Sequence, residues 1–307
     1  MVAENLQTLR GEINQRKLIN NLFAIVGLII ILVSILILLA LVLQLVINGW
    51  SRITPEFFTS FPSRRASRAG ILSAWVGTSL VMLVTAFFAV PLGIASGVYL
   101  EEYARKNWFS ALIEINVTNL AGVPSIIYGL LALGVFVYQF NLGESILAAG
   151  LTLALLILPV VIVTTREALR AIPNSLREAA YAMGASKWQM IWDHILPYSF
   201  GSILTGIIIG LSRAIGETAP VITIGALTFI AFLPDSPITS EFPFISFAWL
   251  KAPFTLMPIQ MFNWVSRPEP EFEVNAAAAG TVLLFMTLTM NGLAIFLRYR
   301  FRRGIKW

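Results

Sequence analysis

Two charged side chains interrupt a long apolar stretch of this sequence, Arg213 and Glu217 within LSRAIGETAP. Four residues apart, they share one face of a helix. Translocon insertion scales put each such charge at roughly 2.5 to 3.5 kcal/mol at a helix centre, so both should face a protein interior or a water-filled path. Two readings follow. The pair is either a neutralising lock between helices, or a gate in which the guanidinium fork receives an oxyanion and Glu217 holds it otherwise. Gly216 and Pro220 favour a helix break beside the pair, which would free backbone groups toward a cavity.

A second stretch, SLREAAYAMGASKWQMIWDHILP from Ser175 to Pro197, is a polar island between apolar runs. Ser175 with Glu178, and Ser186 with Gln189, read as capping boxes opening two short helices. Gly184 between them is placed to end the first in a left-handed conformation. Leu176, Ala179, Ala180 and Met183 recur at helical spacing, giving one small apolar face outside the lipid, suited to dock a soluble partner.

Other chemistries find little material. His194, the single histidine, has no other metal ligand nearby and reads as a polar residue at the membrane edge. There is no cysteine, hence no thiolate site, and no G-x-x-x-x-G-K-[ST] loop to cradle nucleotide phosphates. Any ATP-driven step, with its ATP and magnesium, therefore belongs to another subunit. A membrane enzyme would need a clustered nucleophile, base or metal set that this composition does not offer.

The elements that must position these residues are set by composition. Hydrophobic residues are 57% of the 307 and charged residues 12%, about half the charged share of soluble proteins. The chain is read as an all-α membrane protein with six transmembrane helices, at about 22–47, 71–100, 120–140, 146–165, 195–225 and 276–297. A cytoplasmic segment 1–21, a cytoplasmic loop 174–194, an external loop 235–275 and a basic tail 298–307 complete it. Residues 101–119 read as a polar connection. The stretch 195–234 is open to one broken span or two; six spans put both termini and most Lys and Arg on one side, which the positive-inside rule makes cytoplasmic. Arg64, Arg65 and Arg68 run against that rule. The net charge of +5 is thus topological and gives no reason to expect nucleic acid. Tryptophans at 50, 75, 108, 188, 192, 249 and 264 fall near span ends, as in an aromatic belt. The dense aromatics between Phe242 and Phe272 suggest an external helix or lid on the membrane surface, or a contact for an external protein.

Glu178, Ala179 and Ala180, then Gly184, then Leu196 and Pro197 resemble the EAA loop of type I ABC importer permeases, with His194 standing where that motif has isoleucine. More specifically, PLGIASGVYLEEYA from Pro91, NLAGVPSIIYGLLALG from Asn119, LPVVIVTTREALRAIPNSLREAAYAMGASKW from Leu158, SRAIGETAPVITIGA from Ser212 and NWVSRPEPEF from Asn263 are similar to the PstA-type permease subunits of phosphate importers. The resemblance covers most of the chain from about Ser73 onward. It implies a plasma (inner) membrane permease fold that docks an ATPase through the loop at Leu176, Glu178, Ala179, Ala180, Met183 and Gly184. It further implies a heterodimer with a related permease, two copies of an ATPase and an external phosphate-binding protein, with Arg213 and Glu217 on the phosphate path. The expected function is a non-catalytic subunit translocating phosphate by alternating access; the alternatives are another oxyanion (sulfate, molybdate or phosphonate) or an ATP-independent channel.

Overall fold

The computed structural model describes residues 2–105, 107–236, 244 and 246–302. Lys106, Phe242 and the tail residues 303–307, all used in the sequence reading, lie outside them. Among the described residues every regular element is helical.

Helix α1 runs from Val2 to Trp50, well beyond the span expected at 22–47, because the polar residues ahead of the apolar run contain no proline to stop it. None of its apolar window is buried, and Leu28, Ile31 and Leu38 are open to the surroundings. A helix that is apolar all round and uncovered is one that lipid surrounds. It is pinned near its end, where Gly49 meets the backbone of Ala277 and Ala278 with no room for a side chain. After a short helix α2 (Pro55–Thr59), α3 (Leu72–Val98) carries Pro91 inside it and continues as a π turn over Tyr99–Tyr103.

Residues 101–119, expected to be a polar connection, instead hold all but the last residue of α4 (Trp108–Leu120). Asn107 caps it by accepting from the Ser110 N–H at 2.9 Å. The charges at 101–106 hid this helix; the apolar residues Trp108, Phe109, Leu112 and Ile115 that follow them form it. Helix α5 (Ser125–Ala132), prolonged by a π turn over Leu133–Gln139, leaves α4 at a bend of 107°. Pro124 at the break cannot continue the preceding helix.

Helix α6 (Ile146–Arg170) is the centre of the bundle, with two-thirds of its apolar window buried. Small residues let its neighbours approach, since Gly93 and Gly97 of α3 lie against Val161 and Thr165. Two short helices, α7 (Asn174–Ala182) and α8 (Lys187–Gln189), form the hairpin. A π turn (Met190–Ile195) leads into α9 (Leu196–Gly216). That helix stops at Gly216, short of the expected 225, and only α10 (Ala219–Thr223) follows, so 195–234 holds one spanning helix rather than two. Among the described residues five helices are long and apolar enough to cross a membrane, or six if the bent pair α4–α5 counts as one span.

The aromatic segment departs from the expected surface lid. Leu227 N–H donates to the Phe254 carbonyl, Ile146 N–H to Ala252, and Met257 N–H to the Thr78 hydroxyl at 2.9 Å, so the chain folds back between α3 and α6. Helix α11 (Met257–Val265) then packs on the last helix, α12 (Glu271–Arg302). Trp249, Phe254, Trp264 and Phe272 are buried in these cores. Two of the belt tryptophans are thus core residues, because the backbone hydrogen bonds draw their segment into the bundle; Trp50, Trp108, Trp188 and Trp192 remain exposed.

Candidate functional site

At the end of α9 the Arg213 Nε donates to Glu217 Oε1 at 3.2 Å. The sequence dictates this locally. Arg213 lies in the last turn, where the carbonyl end of the helix dipole favours a cation. Glu217, one residue past Gly216, turns extended while its N–H still reaches the Ala214 carbonyl. The side chains keep 39% and 21% of their surface exposed, so within this one chain neither is enclosed. The predicted break directly follows: α10 opens with Pro220 buried, and Gly225 takes a left-handed turn at φ +90°. Gly129 of α5 sits against Pro220 and Thr223, where any side chain would collide. The pair therefore stands at a discontinuity whose neighbour is the bent segment α4–α5.

The hairpin lies at the far end of α6. Gly184 has φ +83° and ends α7 as expected. The second capping box is present, with Gln189 N–H donating to Ser186 Oγ at 3.3 Å and Ser186 N–H to Gln189 Oε1 at 2.9 Å. The first is not. Helix α7 begins at Asn174 behind Pro173, so Ser175 lies inside the first turn and no side chain caps it. Pro173 supplies the fixed φ that starts the helix instead.

The expected single apolar face is split. Ala180 is buried at 2% and Leu176 half-buried, packed on Leu169, Ile172, Met190 and Ile195, while Ala179 and Met183 are exposed, Met183 at 77%. At 100° per residue the four side chains straddle the edge between core and surface, one pair on each side. Glu178 is exposed and makes no ion pair among the described residues. His194 is half-buried on the π turn, and the described residues hold no metal-ligand cluster.

Sequence reasoning missed an ionic cluster where the hairpin meets the bundle. Arg177 of α7 donates to Glu102 Oε1 at 2.7 Å and to the carbonyls of Leu169 and Ile172 at 3.0 and 2.8 Å. Arg170 grips both oxygens of Glu101 at 3.1 and 2.9 Å. Arg166, buried at the end of α6, reaches Glu114 of α4 at 2.8 Å and lies 3.5 Å from Glu101. The cluster borders a cavity of about 490 Å³ lined also by Arg105, Asn107 and Ser110. The signal was the adjacent carboxylates Glu101 and Glu102 facing basic residues one helical turn apart, Arg166 and Arg170.

Known proteins give this geometry a context. Residues 89–307 match the model of the family described as "Binding-protein-dependent transport system inner membrane component". The chain is 34% identical over 258 residues to the phosphate transport system permease protein PstA of Yersinia pestis, covering 81% of this chain and 79% of that one. It is 29% identical over 291 residues to the PstA of Pasteurella multocida, covering 95% and 97%. Among solved structures, the MetNI methionine ABC transporter in an inward-facing conformation aligns with a TM-score of 0.55 at 18% identity, covering 77% of this chain and 96% of that one. That likeness is one of fold, the all-α permease fold of type I ABC importers. The match over residues 89–307 and the identity to PstA over most of both chains lead to one assignment: the chain belongs to the binding-protein-dependent transport system inner membrane components, the non-catalytic permeases of ABC importers.

Proposed function

We propose that this chain is the translocating subunit of an ATP-driven phosphate importer, with Arg213 and Glu217 on the phosphate path. The observation that carries the reading is the placement of that pair, a guanidinium at the carbonyl end of α9, bound by one carboxylate, at a helix break. An anion that displaces Glu217 finds two or more N–H donors in a fixed fork, and Glu217 restores neutrality when the anion leaves. The half-exposure of the pair within one chain suits a site completed by a second, related permease. The PstA names of its relatives support phosphate as the anion.

In this reading one of the two ATPase subunits, which alone hold ATP and magnesium, docks on the hairpin through exposed Glu178, Ala179 and Met183. Leu176 and Ala180 anchor the hairpin beneath, and Gly184 sets its bend. An external phosphate-binding protein delivers the substrate. The chain spans the plasma (inner) membrane with both termini cytoplasmic, the side on which the hairpin and the bulk of Lys and Arg lie.

The test is uptake of labelled phosphate by proteoliposomes holding the assembled transporter. Arg213→Gln is expected to abolish uptake while the complex still assembles; retained uptake would make the pair a structural lock. Competition by sulfate, molybdate or phosphonate should leave labelled phosphate uptake unchanged, and strong competition by one of them would reassign the substrate. Uptake without ATP would make the chain a channel.

A further inference from the structure

Helix α4 has no buried residue, although it leads directly into the sharp bend before α5. Among the described residues, its shortest polar link to the centre of the bundle is the ion pair of Glu114 with Arg166 at 2.8 Å, with Arg170 4.0 Å away. Arg166 is only 8% exposed and its Nε finds no hydrogen-bond acceptor, so the guanidinium depends on the carboxylates of Glu101 and Glu114. Removing Glu114, whose own side chain is 44% exposed, leaves the buried Arg166 with Glu101 alone, at 3.5 Å. On the opposite side of the same π turn, Glu102 is held by Arg177 of the hairpin, with both side chains largely buried. Adjacent carboxylates thus tie one turn to α6 and to the hairpin. At the other end of α4, the Tyr128 hydroxyl of α5 donates to the Leu120 carbonyl at 2.8 Å and fixes the bend, and Gly129, one residue on, lies against Pro220 and Thr223 of α10, beside Arg213 and Glu217.

We propose that Arg177, Glu102, Glu101, Arg166 and Glu114 form an ionic relay that carries displacement of the hairpin to α4, and through the bent α4–α5 segment to the Arg213–Glu217 site. The inference rests on the importer reading and extends it, making Glu114 and Arg166 positioning residues that touch neither ATPase nor substrate. Ion pairs suit this role because each is directional and discrete. A pull on Arg177 is resisted at Glu102 rather than dissipated in side-chain repacking, and a bistable element at the far end can respond.

The experiment uses the complete transporter in proteoliposomes and reads phosphate moved per ATP hydrolysed. Glu114→Gln is expected to lower that ratio at least about fivefold with ATP hydrolysis kept within about twofold, and Glu114→Asp to recover most of it. A static staple would lower both rates together through loss of assembled protein, with the ratio unchanged, and that result overturns the relay. So does a ratio that Asp restores no better than Gln. Should Glu114→Gln fail to insert, Arg166→Lys keeps the charge and loses the fork, and an unchanged ratio there is equally fatal. Failure of the phosphate reading would appear elsewhere, as no phosphate uptake by the unsubstituted complex. The same ratio would then be read with whichever oxyanion stimulates its ATPase.

Discussion

Two regions of this molecule use the same chemistry, an arginine held by a carboxylate, in opposite ways. Arg213 and Glu217 are a single pair within one helix end, with 39% and 21% of their side chains exposed and no second carboxylate bound. Arg166, Arg170 and Arg177 meet Glu101, Glu102 and Glu114 across α6, α7, α4 and the π turn after α3, with Arg166, Arg177, Glu101 and Glu102 largely buried and Arg170 and Glu114 on the exposed rim. The first arrangement is weakly committed and can exchange its carboxylate for an incoming anion. The second is over-determined and cannot open without exposing a buried charge. A site meant to bind and release needs the former; a joint meant to transmit force needs the latter.

That contrast can be broken experimentally, and the largest effect belongs to the binding pair. Arg213→Gln should remove phosphate uptake altogether yet leave thermal stability in detergent nearly unchanged, since Glu217 is left partly hydrated. A large loss of stability would place the pair with the structural joints. Next comes Glu102→Ala, which leaves Arg177 with two backbone carbonyls and the neutral Asn174 side chain but no carboxylate. About 3 kcal/mol of destabilisation is expected, the low end of the range for halving a buried pair, and a melting temperature within error of the parent would remove the cluster's structural weight.

The hairpin bend ranks third. Gly184 has open space around its Cα, so Gly184→Val meets no clash, only the left-handed backbone, at about 1 to 2 kcal/mol. The protein should insert normally while ATP hydrolysis runs without uptake; coupled transport in this variant would show that the bend angle does not matter. The smallest effect separates the two serines of the hairpin. Ser186→Ala should cost about 1 kcal/mol of local stability, readable as faster amide hydrogen exchange over residues 186–190, because a formed capping box is lost. Ser175→Ala should leave exchange in α7 unchanged, because that serine caps nothing. Equal effects would mean that the hairpin frays as one unit.

How far these regions were legible in the sequence follows from the range of the interactions that make them. The pair at 213 and 217, the break at 216–220, the bend at Gly184 and the cap at Ser186 depend on residues within four positions of one another, and each is in place. The Ser175 cap failed for an equally local reason, since Pro173 starts the helix two residues earlier. Helix α4 was hidden by the charges that precede it, and the aromatics between Phe242 and Phe272 looked like an external helix or lid, or a contact for an external protein, because composition alone does not tell a buried tryptophan from an interfacial one.

By itself the sequence determined the class of molecule: apolar runs of spanning length, a polar hairpin between them, a lone intramembrane cation with its acid and no nucleotide loop. These follow from the free energy of lipid insertion and from helix-end chemistry, both of which act along the chain. Only the tertiary structure decided which charges meet. Glu101 finds Arg170, Glu102 finds Arg177 and Glu114 finds Arg166 across 52 to 75 positions of sequence because small residues let α3 and α6 close on each other. No periodicity records that approach, since it is set by the fit of one helix surface to another.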